Sequence, residues 1–187
     1  MQLAKWAHDL AESLLAEALP QRWAHSQRVY SQALTLAPAL GEDADLLAAA
    51  AIAHDIGYAQ LAVDTGQHMI DGARYLRDVV GADPRLCSIV AFHTSSSWEA
   101  SELGLADALG EFELTDPELV DAITYCDLTS SPVGDLVDPA KRLSEVLERY
   151  GPEHVVFRAV SAARPELMAR VARVRRRHAE SMVGKFN

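Results

Sequence analysis

Residues 48–57 read AAAAIAHDIG, an apolar run that ends in a histidine, an aspartate and a glycine. Alanine is the strongest helix former, and a helix that is apolar on every side belongs in a protein core. Adjacent helical residues diverge by about 100°, so His54 and Asp55 are not expected to point in one direction. A buried charge at this position is costly unless it is paired or binds a metal. The stretch therefore predicts a core helix with polar chemistry at its C-terminal end.

The rest of the chain has the same helical character. Its apolar residues recur with helical spacing, and runs of β-branched residues are few, which predicts an all-α fold. Proline and glycine positions then set the predicted helix boundaries. Helices are predicted over residues 2–18, 23–37, 44–57, 67–80, 84–93, 116–129, 139–149 and 165–183, with irregular loops over 58–66, 94–114 and 130–138.

The chain has 187 residues, with no internal repeat and no linker long enough to separate two domains. A chain of this length is typical of one domain with one core. We therefore predict a single domain over residues 1–187.

Charge and composition exclude several function classes. The chain has 17 basic and 27 acidic residues, and its net charge of −10 argues against a duplex-nucleic-acid partner but not against small phosphorylated ligands. No apolar run approaches the roughly 20 residues of a membrane span, and charges interrupt the N-terminal segment, so neither a membrane anchor nor a signal peptide is predicted. Cys87 and Cys126 lie in apolar surroundings without a CxxC motif. A reduced, cytoplasmic protein is the expectation.

Polar residues at the ends of apolar helices form the candidate site. His25 lies on the helix before the His54-Asp55 pair, and Asp127 ends the apolar stretch of residues 122–126. Any one of these residues by itself would be interpreted as a core histidine or a helix cap. Together they suggest a metal site, and histidine with carboxylate favours Mn, Fe, Co, Zn or Ni over Ca.

The order of His25, His54-Asp55 and Asp127 resembles the HD-domain superfamily of metal-dependent phosphohydrolases. The string His54-Asp55-Ile56-Gly57 is a common form of that family's signature. The resemblance implies a single HD-domain helical bundle with its core at about residues 20–130. Residues of about 139–183 would then form a C-terminal helical extension.

Two further histidines are similar to those of the two-metal members of the family. His68 precedes Gly72-Ala73, and His93 precedes a hydroxyl-rich segment, as in bacterial HD hydrolases that split dinucleoside tetraphosphates. Gly72 shares a helix face with His68 and is expected to let another backbone approach closely. The resemblance implies two divalent transition-metal ions, one of which takes four ligands and the other two, with Asp55 bridging. The six implied ligands are His25, His54, Asp55, His68, His93 and Asp127.

The resemblance also implies a reaction. Two cations about 3.5–4 Å apart can share a metal-bound hydroxide that attacks phosphorus. The predicted substrate is a phosphoester or phosphoanhydride of a small metabolite, with a nucleotide preferred. Asp55 is the predicted catalytic bridge. Arg22, one turn before His25, is predicted either to bind a phosphate oxygen or to form a surface ion pair.

Tyr58 departs from the family pattern, because many proteins with this signature carry a lysine directly after the glycine. A phenol cannot replace an ammonium as a counter-charge for phosphate. The same six ligands serve HD-type di-iron oxygenases, and this rival stays open. A non-catalytic nucleotide-binding sensor is the third hypothesis.

The C-terminal segment is rich in arginine. We consider three interpretations: a patch for an anionic partner, a contact with a neighbouring subunit, or a solvated basic face. The residues concerned are Arg164, Arg170, Arg173, Arg175, Arg176 and Arg177.

Overall fold

The computed structural model describes residues 2–183, and this part of the chain is an all-α helical bundle. Met1 and residues 184–187, which the predicted range 1–187 includes, lie outside the described residues. Within the described residues, β pairing is limited to an isolated bridge between Ser130 and Leu136. None of the helices described is both long enough and apolar enough to cross a membrane. The helices are α1 (Gln2–Leu15), α2 (Pro20–Leu40), α3 (Ala44–Ala53), α4 (His68–Arg74), α5 (Pro84–Phe92), α6 (Ser96–Leu103), α7 (Ala106–Leu109), α8 (Pro117–Leu128), α9 (Pro139–Arg149) and α10 (Val155–Val183).

Helix α3 forms the centre of the main core. Every residue from Leu46 to Ala53 is buried, as the apolar run predicts. Helices α1, α2, α5 and α8 pack around it. Helix α1 faces α3 with a stripe of small residues and one leucine, which permits close approach of the two backbones. The stripe consists of Ala4, Ala7, Ala11 and Leu15.

In this chain, prolines predict where helices begin better than where they end. Pro20, predicted to end or redirect the first helix, is the first residue of α2, where its missing N–H costs nothing. Pro38, predicted to stop the second helix, lies inside the last turn of α2. Pro165 likewise lies inside α10, which begins at Val155 rather than at the predicted residue 165. The boundary predictions at Pro38 and Pro165 are wrong because tertiary packing maintains the helix on both sides of an internal proline.

The predicted loop at residues 94–114 is also wrong. It contains α6 and α7, separated by Gly104 in the left-handed region at φ 70°. Helix α6 reads SSWEASEL and buries only Ser96 and Ala100, so its sequence carries almost no periodic apolar signal. The predicted helix at 67–80 is α4 followed by a π-helical turn, Tyr75–Val80.

Helices α9 and α10 add a second core beside the first. Helix α10 packs against α2, α6, α8 and α9. The buried residues shared by α8, α9 and α10 are Leu128, Leu143, Val160, Ala163, Leu167 and Val171.

Some of the α10 arginines form ion pairs with acidic residues of α8. The Arg173 guanidinium donates to both carboxylate oxygens of Asp121 at 2.7 and 2.9 Å, and to Glu166 at 2.8 Å. Arg177 lies 3.3 Å from Glu118. Asp121 and Glu118 belong to α8. Arg173 and Arg177 therefore help to hold α10 against α8.

Candidate metal centre

His54 and Asp55 lie between the end of α3 at Ala53 and a 3₁₀ turn, Ile56–Tyr58. His54 Nδ1 lies 2.8 Å from the carbonyl oxygen of Ala51, which directs Nε2 away from the helix. His54 Nε2 and Asp55 Oδ1 are 3.4 Å apart, and both side chains are almost fully buried. The expectation that the two would point apart is wrong, because the regular helix ends at Ala53 and the tighter turn brings the carboxylate back.

His25 and Asp127 reach the same point from α2 and α8. His25 Nε2 lies 2.9 Å from Asp127 Oδ1 and 3.9 Å from Asp55 Oδ2. Its Nδ1 lies 2.9 Å from the carbonyl oxygen of Ser131. Both ring nitrogens therefore face oxygen acceptors, and the ring orientation is fixed from both sides.

His68 and His93 complete the group from α4 and from the end of α5. His68 Nε2 lies 3.4 Å from Asp55 Oδ1. His93 Nδ1 lies 2.6 Å from the carbonyl oxygen of Val90, and the His93 ring centroid is 5.2 Å from that of His54 and 5.4 Å from that of His68. The structure thus brings all six predicted ligand residues to one place.

A backbone outlier follows His93 directly. Thr94 has φ 51°, a left-handed value that a β-branched residue rarely adopts and that costs on the order of 1–3 kcal/mol. Its N–H donates to Thr124 Oγ1 on α8 at 3.1 Å. This turn ends α5 and holds His93 fully buried against the other imidazoles.

Two glycines set the distance between the His54-Asp55 turn and α4. A Cβ atom built on Gly57 would lie 2.6 Å from the backbone nitrogen of Gly72, and one built on Gly72 would lie 3.1 Å from the nitrogen of Gly57. The predicted close backbone approach at Gly72 is confirmed. Its consequence is that His68 can reach the Asp55 carboxylate.

The buried polar atoms of the site indicate that it fits metal ions. His54 Nε2 and His93 Nε2 are buried and have no hydrogen-bond partner, although both Nδ1 atoms face backbone carbonyls. A carbonyl partner requires the proton on Nδ1, which leaves a lone pair on Nε2, the arrangement of a metal-ligating histidine. The donor atoms form three groups in which all atoms lie within 4.8 Å of one another: His25-His54-Asp55, His54-His93-Asp127 and Asp55-His68-His93.

The two carboxylates are held in the charged form. Burial by itself raises the pKa of Asp55, but the surrounding positive charge, which includes Arg22 and His25, outweighs it, so its pKa lies well below the ordinary value. Burial likewise raises the pKa of Asp127, and the hydrogen bond from His25 more than offsets this, so its pKa also lies below the ordinary value. Both groups are therefore anionic at neutral pH, as ligands must be.

The imidazoles divide into two classes. Burial lowers the pKa of His68 to about 3, and burial together with His54 lowers the pKa of His93. These two rings are neutral at physiological pH. Burial also acts to lower the pKa of His25, but the hydrogen bond to Asp127 reverses the balance and its pKa is raised. His25 therefore carries the proton that an ion would displace.

Arg22 borders the site on the side of Asp55. Its Nη1 donates to Asp55 Oδ2 at 3.0 Å, and about a third of its side chain is exposed. The guanidinium carbon lies 4.0 Å from the centroid of the Tyr58 ring. Arg22 is thus an ion-pair partner of a buried carboxylate, and its exposed part faces the cavity.

A cavity of about 110 Å³ opens beside the site and includes residues that the sequence did not single out. Glu99 on α6 accepts a hydrogen bond from Ser95 Oγ at 2.6 Å, and burial raises its pKa. Arg142 and Arg149 enter from α9. Glu99 lies in the segment that was predicted to be a loop, and Arg142 and Arg149 belong to no motif. The sequence therefore gave no indication that these three residues line the cavity.

One comparison with known proteins gives a match. The model of the HD domain family matches residues 22–131, more than half of the chain. Searches of curated proteins and of solved structures gave no significant match.

Proposed function

The chain belongs to the HD domain family, and we propose that it is a metal-dependent phosphohydrolase acting on a small phosphorylated metabolite. HD domain proteins bind divalent metals, and the clustered histidines and aspartates of this chain could hold one. The observation that carries the proposal is the pair of buried, unpartnered Nε2 atoms on His54 and His93. Such atoms are costly unless an ion occupies the space between the rings.

The distances support a division of the six donors between two ions. His25, His54, Asp55 and Asp127 would hold one ion, and His68 and His93 would hold the other. Asp55 is suited to bridge, because its Oδ1 lies 3.4 Å from the Nε2 atoms of both His54 and His68, while Oδ2 faces His25. Mn, Fe, Co, Zn and Ni all suit this donor set.

Divalent ions, when bound, lower the pKa of water and neutralise charge on phosphoryl oxygens. The protein's own groups would then bind and orient the substrate. Arg22 offers N–H donors that face the cavity and could bind a phosphate oxygen while keeping its bond to Asp55. Asp55 would act as catalytic residue by holding both ions, and Arg22 by contacting the phosphate.

The cavity volume of about 110 Å³ supports a small substrate or a small reacting end of a larger one. A nucleotide is our candidate within that class.

The rival hypotheses use the same donors. An HD-type di-iron oxygenase stays a rival, because Tyr58 replaces the family's lysine and a phenol supplies no counter-charge for phosphate. A nucleotide-binding sensor would bind without turnover.

A metal analysis and a phosphatase panel would test the proposal. Protein purified without chelator should contain transition metal, and phosphate release should require Mn, Co, Fe, Zn or Ni under anaerobic conditions. The double variant His54→Ala/Asp55→Ala should lose both. A matched control is available, because His8-Asp9 on α1 is a second His-Asp dipeptide that belongs to none of the donor groups.

The His8→Ala/Asp9→Ala variant should keep metal and activity. Phosphate release that persists in the first double variant would refute the proposal. Oxygen uptake with a mixed-valent iron signal, and no phosphate release, would favour the oxygenase. Tight nucleotide binding without turnover would favour the sensor.

A further inference from the structure

The cavity beside the metal centre has two unlike walls. One wall is polar and contains the candidate ligands His25, Asp55, His68 and Asp127 together with Arg22. The other wall is aliphatic and comes from α8, α9 and α10. Its residues are Leu128, Leu143, Val146, Val156, Val160 and Leu167.

The aliphatic wall is part of the second core. Leu143 and Leu167 are almost completely buried in the second core, so they fix the positions of α9 and α10. Val146 and Val156 are only half-buried and pack against that core from the cavity side. Apart from Leu128, every residue of this wall lies beyond residue 131, where the family match ends. Most of the wall therefore lies outside the part of the chain that the family model covers.

The charged residues flanking the wall are paired with each other. Arg142 and Arg149 both form ion pairs with Glu145 on the same helix. Only one of the two positive charges is left without a counter-charge, and the side chain of Arg142 is largely buried. This flank is thus a weak site for a second phosphate, in contrast to the metal side of the cavity.

We propose that the α9–α10 wall binds the organic part of the substrate, and that the substrate class is phosphate compounds whose organic part presents an apolar face. This inference rests on the proposed function, because the phosphate end is placed at the metal centre. An aromatic or aliphatic group buries its surface against the valines and leucines. The hydroxyls of a sugar phosphate would be left without partners there, so sugar phosphates bind less well.

A matched pair of phosphonates tests the wall by binding alone. Phenylphosphonate and methylphosphonate carry the same anionic group and differ in the apolar group. Calorimetry on the metal-loaded, full-length protein should show phenylphosphonate binding about tenfold more tightly, the ratio that corresponds to about 1.4 kcal/mol.

Two valine substitutions provide the variant. Val146→Thr with Val156→Thr keeps the side-chain shape and adds two hydroxyls to the wall, and should bring the phenyl-to-methyl ratio close to one. Val79→Thr, an exposed valine that does not line the cavity, should keep the wild-type ratio. Either single threonine variant can replace the double variant if the latter fails to fold, with an intermediate ratio expected.

A second pair identifies the source of the apolar face. Adenosine monophosphate and ribose 5-phosphate differ by the nucleobase. If adenosine monophosphate binds more tightly than ribose 5-phosphate, and the difference disappears in the threonine variant, the result supports a nucleobase on the wall. If the two bind equally while phenylphosphonate is still preferred over methylphosphonate, the result supports a compact aryl or alkyl ester.

Equal binding of the two phosphonates by the wild type, or a phenyl preference kept in the threonine variant, would overturn the inference. Failure of the proposed function is recognised separately. In that case no phosphate is released from any ester with any metal, whereas the phosphonate ratio is read without turnover.

Discussion

The Tyr58 ring is stacked on the His68 imidazole, with 4.2 Å between ring centroids and 17° between the planes. The Arg22 guanidinium carbon lies 4.0 Å from the same ring centroid. The Tyr58 ring is thus in contact with both Arg22 and His68. It therefore links the predicted phosphate-binding residue to a predicted metal ligand.

Substitution of Tyr58 should reveal this link. Tyr58→Phe keeps the stacked ring and should keep close to full metal content and activity. Tyr58→Leu removes the stacking and the cation–π contact, worth about 0.5–2 kcal/mol, so phosphate release should fall roughly two- to thirtyfold. Metal analysis should also show weakened retention of the second ion, because His68 is no longer held. Identical behaviour of the Phe and Leu variants would contradict the linking role.

Removal of one ligand from each proposed ion site should have unequal effects. His68→Asn leaves four donors for the first ion, so the bound metal should fall from two ions to one per chain, with activity lost. His54→Asn removes a donor that lies near His25, Asp55 and His93, and should lower the content further. Elemental analysis after gel filtration measures the number of metal ions bound per chain. Full metal content in His68→Asn would exclude its role as a ligand.

Metal affinity should rise with pH. The pKa of His25 is raised by Asp127, so in the metal-free protein the ring keeps its proton above the ordinary value of 6.5. A metal ion binds the lone pair of His25 Nε2, so it must displace the proton on that atom. The free-energy cost of removing the proton falls as the pH approaches and passes the raised pKa of His25. Calorimetry in buffers of different ionisation enthalpy should show proton release at pH 6–7. His68, with a pKa of about 3, should add no release in this range.

The His25→Asn variant serves as the check on this assignment, since it should bind metal more weakly but without that proton release. An unchanged proton count in His25→Asn would assign the proton to another group.

Gly57→Ala should destabilise the protein. The new methyl group would lie 2.6 Å from the backbone nitrogen of Gly72, and relief of the overlap requires the turn and α4 to move apart. Overpacking of this kind costs about 1–3 kcal/mol or more of unfolding free energy. Urea denaturation measures the loss.

Gly151→Ala is the matched control, because a Cβ atom there meets nothing within 4 Å. It should leave stability unchanged or raise it by up to about 1 kcal/mol. Equal stability of the two variants would show that the close approach is not needed.

The parts of the fold that sequence predicts well are those with strong local signals. The apolar run before His54 identified the core helix α3, and the helix predicted over residues 139–149 has the bounds of α9, where the Asp138 carboxylate caps the first turn. Histidines and aspartates at helix ends pointed to one site because ends of packed helices lie together.

Other features depend on contacts that no local pattern records. Helix α6 has almost no apolar stripe of its own. Its position, and with it that of Glu99 in the cavity, depends on the packing of α10 against α6. The aliphatic wall appears only when α9 and α10 fold back on α8. The stacking of Tyr58 on His68 joins a turn to a helix start, and the sequence showed only that a lysine was missing.

The His25 imidazole and the Ser131 carbonyl that orients it are separated by 106 positions in the sequence. During ribosomal synthesis, α2 and α3 emerge long before α8, so a nascent chain carries an incomplete donor set for much of its elongation. The site can select an ion only after the segment that follows Asp127 has emerged and docked. If the proposed ions bind once folding is complete, their identity would depend on the cations available where folding finishes.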